Sequence, residues 1–240
     1  MNANDQINVS SGVCCLTKHH PPLTDHPPMK SDKQDSPHAS APPQSPAALL
    51  LADVINDFDF PECEQLLRHA RSAAERIAEL KRLARRESVP VIYLNDNFGR
   101  WRSDFKATVN HALQGRGREI ASLLSPEKDD YFVLKPKHSG FFSTSLDTLL
   151  GSLGTRLVVL AGFAGNICVL FTAADAHMRE FRIIVPADAI ASNTQEENQA
   201  ALLLLTGVFK ADVRPVRELS FAEAIRHANR HSDGSSTSPG

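Results

Sequence analysis

The chain has 240 residues, 42% of them apolar and 22% charged, with a formal net charge of −2 at pH 7. This is the composition of an ordinary soluble globular protein, and it provides no strong basic field to gather nucleic acid. An apolar run of about 18 residues, long enough for a membrane-spanning helix, is absent, as is the basic start and apolar stretch of a secretory signal. Four cysteines are too few for a disulfide scaffold, so a reducing cytoplasm is the expected compartment.

Residues 1–46 hold eight of the fifteen prolines and four of the ten histidines. Such a stretch buries too little apolar area to offset its ordering entropy, and it is expected to be a disordered arm. His19, His20, His26 and His38 lie near Cys14 and Cys15, but their spacing matches no zinc site. Residues 231–240 are Ser- and Gly-rich and read as a flexible tail. One domain is expected between them, over residues 47–230.

Within it the pattern is regular. Ala47 to Ala52 reads as a buried strand. Gln65 to Arg86 carries Leu66, Ala70, Ala73, Ile77, Leu80 and Ala84, one apolar stripe of an amphipathic helix. After Pro90, Val91 to Leu94 reads as a second buried strand. The long connection from Asn95 to Asp130 contains Gly99, Trp101, Gly115 and Gly117, and a connection of that length is expected to be a binding loop or lid. Tyr131 to Leu134 reads as a third strand, and Ser145 to Leu153 as a helix ended by Gly154. Leu157 to Ala161 is a fourth strand, Ile167 to Arg179 a helix, and Arg182 to Val185 a fifth strand. Glu196 to Val208 is a helix, Ala211 to Val213 a short sixth strand, and Phe221 to Asn229 a last helix. Strands alternating with helices, and apolar throughout, predict a three-layer αβα, doubly wound, mostly parallel sheet of about six strands.

Ligands of such sheets bind at the carboxyl ends of the strands. Asp53 directly follows the first strand, Asn95 and Asp96 the second, Lys135 the third, and Cys168 comes soon after the fourth. Taken singly, each has an ordinary structural explanation: a turn cap, a solvated cation, a small core thiol. Together they supply a base, a cation and a nucleophile, the parts that acyl transfer needs. Asn166 is expected to cap the helix whose first turn holds Cys168. Free N–H groups and the helix dipole there would favour a thiolate. The small residues of Gly162-Phe163-Ala164-Gly165 could expose N–H groups as an oxyanion hole.

Three ordered segments carry a family resemblance: Leu51-Ala52-Asp53-Val54-Ile55-Asn56-Asp57-Phe58; Leu134 to Phe142, with Lys135, Ser139 and Phe141; and Gly162 to Val169, followed by Thr172-Ala173-Ala174-Asp175-Ala176. Over roughly residues 48–215 the chain resembles the isochorismatase-like cysteine hydrolases, which include nicotinamidases and N-carbamoylsarcosine amidases. The resemblance implies a catalytic triad of Asp53, Lys135 and Cys168, with the oxyanion held by the backbone N–H groups of Ala164 and Cys168. It also implies a cis peptide between Phe163 and Ala164, a small-molecule substrate and a homodimer or homotetramer.

The departures narrow this. Ile55 replaces a glutamine of the first motif, and Phe98 stands where nicotinamidases have a metal-binding histidine. Phenylalanine cannot ligate zinc, so no active-site metal and no cofactor are expected. Phe58, Asn97 and Trp101 are candidates to line the substrate pocket. His138 either points at substrate or is structural, and Cys63 is expected to be structural. The retained Cys168 favours cleavage of an amide or ureido C–N bond. Vinyl-ether hydrolysis, and non-catalytic binding or assembly on the same fold, are the alternatives.

Overall fold

The computed structural model describes residues 42–96 and 104–232, with side chains to residue 229. These residues fall within one compact unit, 41–240. β1 (Ala47–Ala52) is flanked by β2 (Val91–Asp96) on one side and β4 (Leu157–Phe163) on the other. β3 (Tyr131–Lys135) lies beyond β2, and β5 (Arg182–Ile184) beyond β4. The order is β3-β2-β1-β4-β5, all parallel.

Side-chain alternation splits this apolar sheet between two cores. Leu49, Leu51, Tyr93, Val159 and Ala161 face α1 (Cys63–Arg86). That helix buries the whole predicted stripe from Leu66 to Ala84. Leu50, Ala52, Ile92, Leu94, Val158 and Leu160 face α4 (Leu146–Leu153) and α5 (Leu170–Met178). Helices on both faces make three layers, the αβα architecture that the strand pattern predicts. The connection reverses between β1 and β4, and this switch point is where such sheets open a crevice.

The connection 95–130 is more structured than a loop. It contains α2 (Phe105–Ala112) and α3 (Arg118–Leu123). Asp104 starts α2 by accepting the Ala107 N–H at 2.9 Å. Neither helix is long enough to show clear periodicity, so their charged residues read as loop. Between them the chain runs hard against the first motif. A Cβ on Gly117 would stand 2.4 Å from the Asn56 carbonyl oxygen, and His111 on α2 meets the Asp57 carboxylate at 2.9 Å.

Two other elements differ from expectation. The sixth strand is not at Ala211–Val213, where only one bridge joins Asp212 to Ile184. It is β6 (Ile190–Ala191), paired with the end of β4. A two-residue strand has no period to detect, and only its neighbour defines it. The helix expected from Ile167 begins instead with a π-turn, Gly165–Val169, before α5. The Val169 N–H reaches back to the Ala164 carbonyl at 3.3 Å, an i to i+5 bond. Helices α6 (Gln195–Gly207) and α7 (Phe221–Ser232) complete the fold. A capping box between Thr194 and Glu197 opens α6.

A buried polar knot secures the edge of the α1 layer. Tyr93 Oη donates to the Leu124 carbonyl at 2.7 Å and accepts from Lys81 Nζ at 2.7 Å. Lys81 also donates to the Ser125 carbonyl at 2.8 Å. Burial holds the Lys81 ammonium below its usual pKa range and the Tyr93 phenol above its own. Tyr93→Phe removes one acceptor from a buried cation and the donor to Leu124. Urea unfolding should show a loss of about 1–3 kcal/mol. An unchanged midpoint would mean that water replaces the hydroxyl.

Candidate active site

Three side chains meet at the carboxyl edge of the sheet. The register places Ala52 opposite Gly162, so the residue after β1 lies beside the exit of β4. It also places Asp96 opposite Lys135, at the last pair of β2 and β3. Asp53 turns out of β1 with φ of 52°, a left-handed conformation that aspartate tolerates better than most residues. Its Oδ1 accepts the Asp96 N–H at 2.8 Å, which orients the carboxylate. Lys135 Nζ stands 2.8 Å from Asp53 Oδ2 and 3.4 Å from Cys168 Sγ. Asp96 Oδ2 lies 3.8 Å from the same nitrogen.

Lys135 is fully buried and Asp53 nearly so. Burial alone would lower the lysine pKa, but Asp53, Cys168 and Asp96 together hold it above its ordinary value. The ammonium is therefore a fixed charge. Burial is also the largest effect on Cys168, and the Asp53 carboxylate adds to it, while Lys135 opposes both. The thiol is pushed up from 9.0 to about 12. The helix start does not yield a resting thiolate here, because desolvation and a hydrogen-bonded carboxylate outweigh the lysine. These effects favour a neutral thiol beside the Asp53 carboxylate.

Both raised groups bind more protons in the folded than in the unfolded protein. Their stabilising contribution is complete below the unfolded values and is lost as pH rises through the folded ones. For Cys168 that loss begins near pH 9 and runs to about pH 12. Stability should therefore fall as pH rises above about 9, and Cys168→Ala should flatten that fall. Parallel urea curves for the two proteins from pH 8 to 10 would rule out this coupling.

The other expected residues are distributed differently. Asn166 does not cap the helix: it lies inside the π-turn, and its N–H donates to Ser192 Oγ at 3.1 Å. The wider turn moves the helix start back to Gly165, and Ala164 is the extended residue before it. Phe58, expected on the pocket wall, is fully buried in the α1-side core, its ring beside those of Phe60 and Phe163. A fully buried ring packed against Phe60 and Phe163 presents no open face to a crevice. Asn97, Trp101 and Phe98 lie outside the described residues, as do Cys14, Cys15 and the four histidines of the N-terminal arm. His138 is at the surface, its ring 5.7 Å from that of Phe171. Cys63 is a buried free thiol in the first turn of α1.

Asp96, which the sequence places only after the second strand, touches both other charged groups. The sequence signal for it is its position at a strand end, and the register adds that it faces Lys135. Among the described residues no helix is long and apolar enough to cross a membrane.

The layered parallel sheet is a three-layer αβα fold, and the polar cluster lies at its carboxyl edge. The chain belongs to the isochorismatase family, whose isochorismatase domain matches residues 47–215. It is 43% identical over 166 residues to YaaI of Bacillus subtilis, an uncharacterized isochorismatase family protein, covering 69% of this chain and 92% of that one. A shorter match, 39% identical over 84 residues, is to the ureidoacrylate amidohydrolase RutB of Methylorubrum extorquens, and spans 34% of each chain. Among solved structures, the N-carbamoylsarcosine amidase of Thermoplasma acidophilum aligns with a TM-score of 0.57 and 30% identity, over 73% of this chain and 99% of that one.

Proposed function

We propose that the protein is a metal-independent cysteine hydrolase that cleaves a C–N bond of a small amide or ureido compound. The observation that carries this reading is the single lysine nitrogen held between a carboxylate and a thiol. The Cys168 thiol passes its proton to Asp53 as sulfur attacks the carbonyl carbon. The N–H groups of Ala164 and Cys168 hold the oxyanion. Asp53 then protonates the leaving nitrogen as the C–N bond breaks, and a Cys168 thioester remains. Water attacks the thioester and gives its proton to Asp53, and as the C–S bond breaks Asp53 returns that proton to the departing sulfur. Lys135 keeps its charge throughout and stabilises the thiolate as it develops.

Two relatives support the C–N assignment: the ureidoacrylate amidohydrolase and the N-carbamoylsarcosine amidase. Phe98 at the position of a metal-binding histidine supports chemistry without a metal. The reading includes a reducing compartment, where Cys168 stays a free thiol, and a homodimer or homotetramer, for which exposed Phe171, Leu203 and Leu204 offer apolar surface.

The test is mass spectrometry of Cys168 after incubation with a panel of small amides and ureides. An acyl adduct on Cys168, absent from Cys168→Ala, is expected. With vinyl ethers added to the panel, turnover of a vinyl ether that survives in Cys168→Ala would instead indicate vinyl-ether chemistry, and no turnover of any of them by either protein would indicate a binding role.

A further inference from the structure

Lys135 ends β3, which among the described residues is an edge strand with a neighbour on one side only. The segment that follows it needs another anchor, and α5 supplies one. Cys168, Thr172, Asp175 and Arg179 recur at spacings of four, three and four, so they share one helical face. Three consecutive residues after β3 meet that face. The Ser139 hydroxyl donates to the Asp175 carboxylate. The Gly140 N–H donates to Thr172 Oγ1 at 3.0 Å. The Phe141 ring lies 4.7 Å beneath the Arg179 guanidinium.

Thr172 is the rung nearest the thiol. It is fully buried, and its hydroxyl donates to the Cys168 carbonyl at 2.6 Å. A threonine within a helix often bonds back to the carbonyl four residues earlier with no further consequence. Here the same oxygen also accepts from the segment that follows Lys135. One hydroxyl thereby joins the backbone of the cysteine to the backbone beyond the lysine.

We propose that Thr172 is a positioning residue that sets the Lys135–Cys168 separation through its paired hydrogen bonds to Gly140 and Cys168. It touches no reacting atom. Its effect passes through the 3.4 Å contact between Lys135 Nζ and Cys168 Sγ. The proposal rests on the reading of Cys168 as the nucleophile, and it deepens that reading.

The test is the rate of Cys168 alkylation by iodoacetamide in the full chain, followed by peptide mass spectrometry from pH 7 to 10. No substrate is needed. Thr172→Val keeps the shape but leaves the Gly140 N–H without its acceptor. The lysine then drifts from the thiol, and alkylation at pH 8 should slow about tenfold, as for one unit of thiol pKa, with the pH profile displaced upward. Thr172→Ser, which keeps the hydroxyl, should restore both rate and profile. A wild-type rate and profile in Thr172→Val would overturn the proposal, as would a Thr172→Ser protein as slow as Thr172→Val. Should Thr172→Val fail to fold, Ser139→Ala removes the next rung of the same clamp. It should slow alkylation by a smaller factor, and a wild-type rate there would overturn the proposal. Slowed alkylation in a protein that forms no acyl adduct would refute the reading of Cys168 as the nucleophile and leave only the coupling of lysine to thiol through Thr172.

Discussion

Asp53→Asn is expected to abolish turnover while making Cys168 easier to alkylate. The two effects have opposite signs because Asp53 does two things. In the proposed mechanism it takes the thiol proton and passes it to the leaving group, and an amide can do neither. General acid–base groups of this kind contribute about 10²–10⁴-fold, so the rate should fall by that order. As a charge, however, the carboxylate opposes ionisation of the thiol it faces and, after burial, is the largest influence holding the thiol near 12. Asparagine removes that opposition and leaves Lys135 in place. A thiolate at Cys168 then becomes the counter-ion that the buried ammonium has lost. Iodoacetamide should label Cys168 faster in the variant than in wild type at pH 7 to 8. Turnover within tenfold of wild type would remove Asp53 from the role of base, and slower labelling would show that the carboxylate promotes rather than opposes ionisation of the thiol.

Gly162→Ala is expected to cost several kcal/mol of stability, enough to empty the soluble fraction. Gly162 has φ of 131°, a conformation that side chains rarely adopt. A Cβ there would lie 2.1 Å from the Ala52 carbonyl oxygen and 2.8 Å from the Ala52 nitrogen. Both atoms are backbone in the next strand, so no flexible side chain can yield. Relief would require parting β1 from β4 at the pair that delivers Asp53 and the Cys168 turn to one crevice. Strain of that kind, with lost ladder bonds, belongs to the small class of changes above about 4 kcal/mol. Urea unfolding or soluble yield reads the effect. A midpoint within the error of wild type would show that the strand ends can separate freely.

The strands and α1 were legible because their signals are local. Six consecutive apolar residues before Asp53 suit a strand buried on both faces, and the stripe from Leu66 to Ala84 has the helical period. Asp53, Lys135 and Cys168 were legible for a related reason. Strand ends in a parallel sheet share one edge, so residues that follow strands become neighbours whatever their distance in the chain. Where local signals were short, the reading failed. α2 and α3 are about two turns each, and β6 is a pair of residues. Phe58, a pocket candidate from sequence, has its ring in the core beside Phe163 instead, because contacts between distant segments decide which way it turns.

The chain by itself determined the layered fold, the edge at which the site forms, and the three side chains gathered there. Each follows from the periodicity of apolar residues and from where strands end. Only the tertiary structure decided the state of those side chains. The thiol is neutral rather than ionised because burial and a facing carboxylate outweigh one lysine. Asn166 bonds to Ser192 rather than capping a helix because a π-turn begins the helix earlier. Thr172 bridges two segments because α5 packs over the end of an edge strand. Charge states and paired hydrogen bonds depend on distances between segments far apart in the chain, and those distances exist only once the layers have packed.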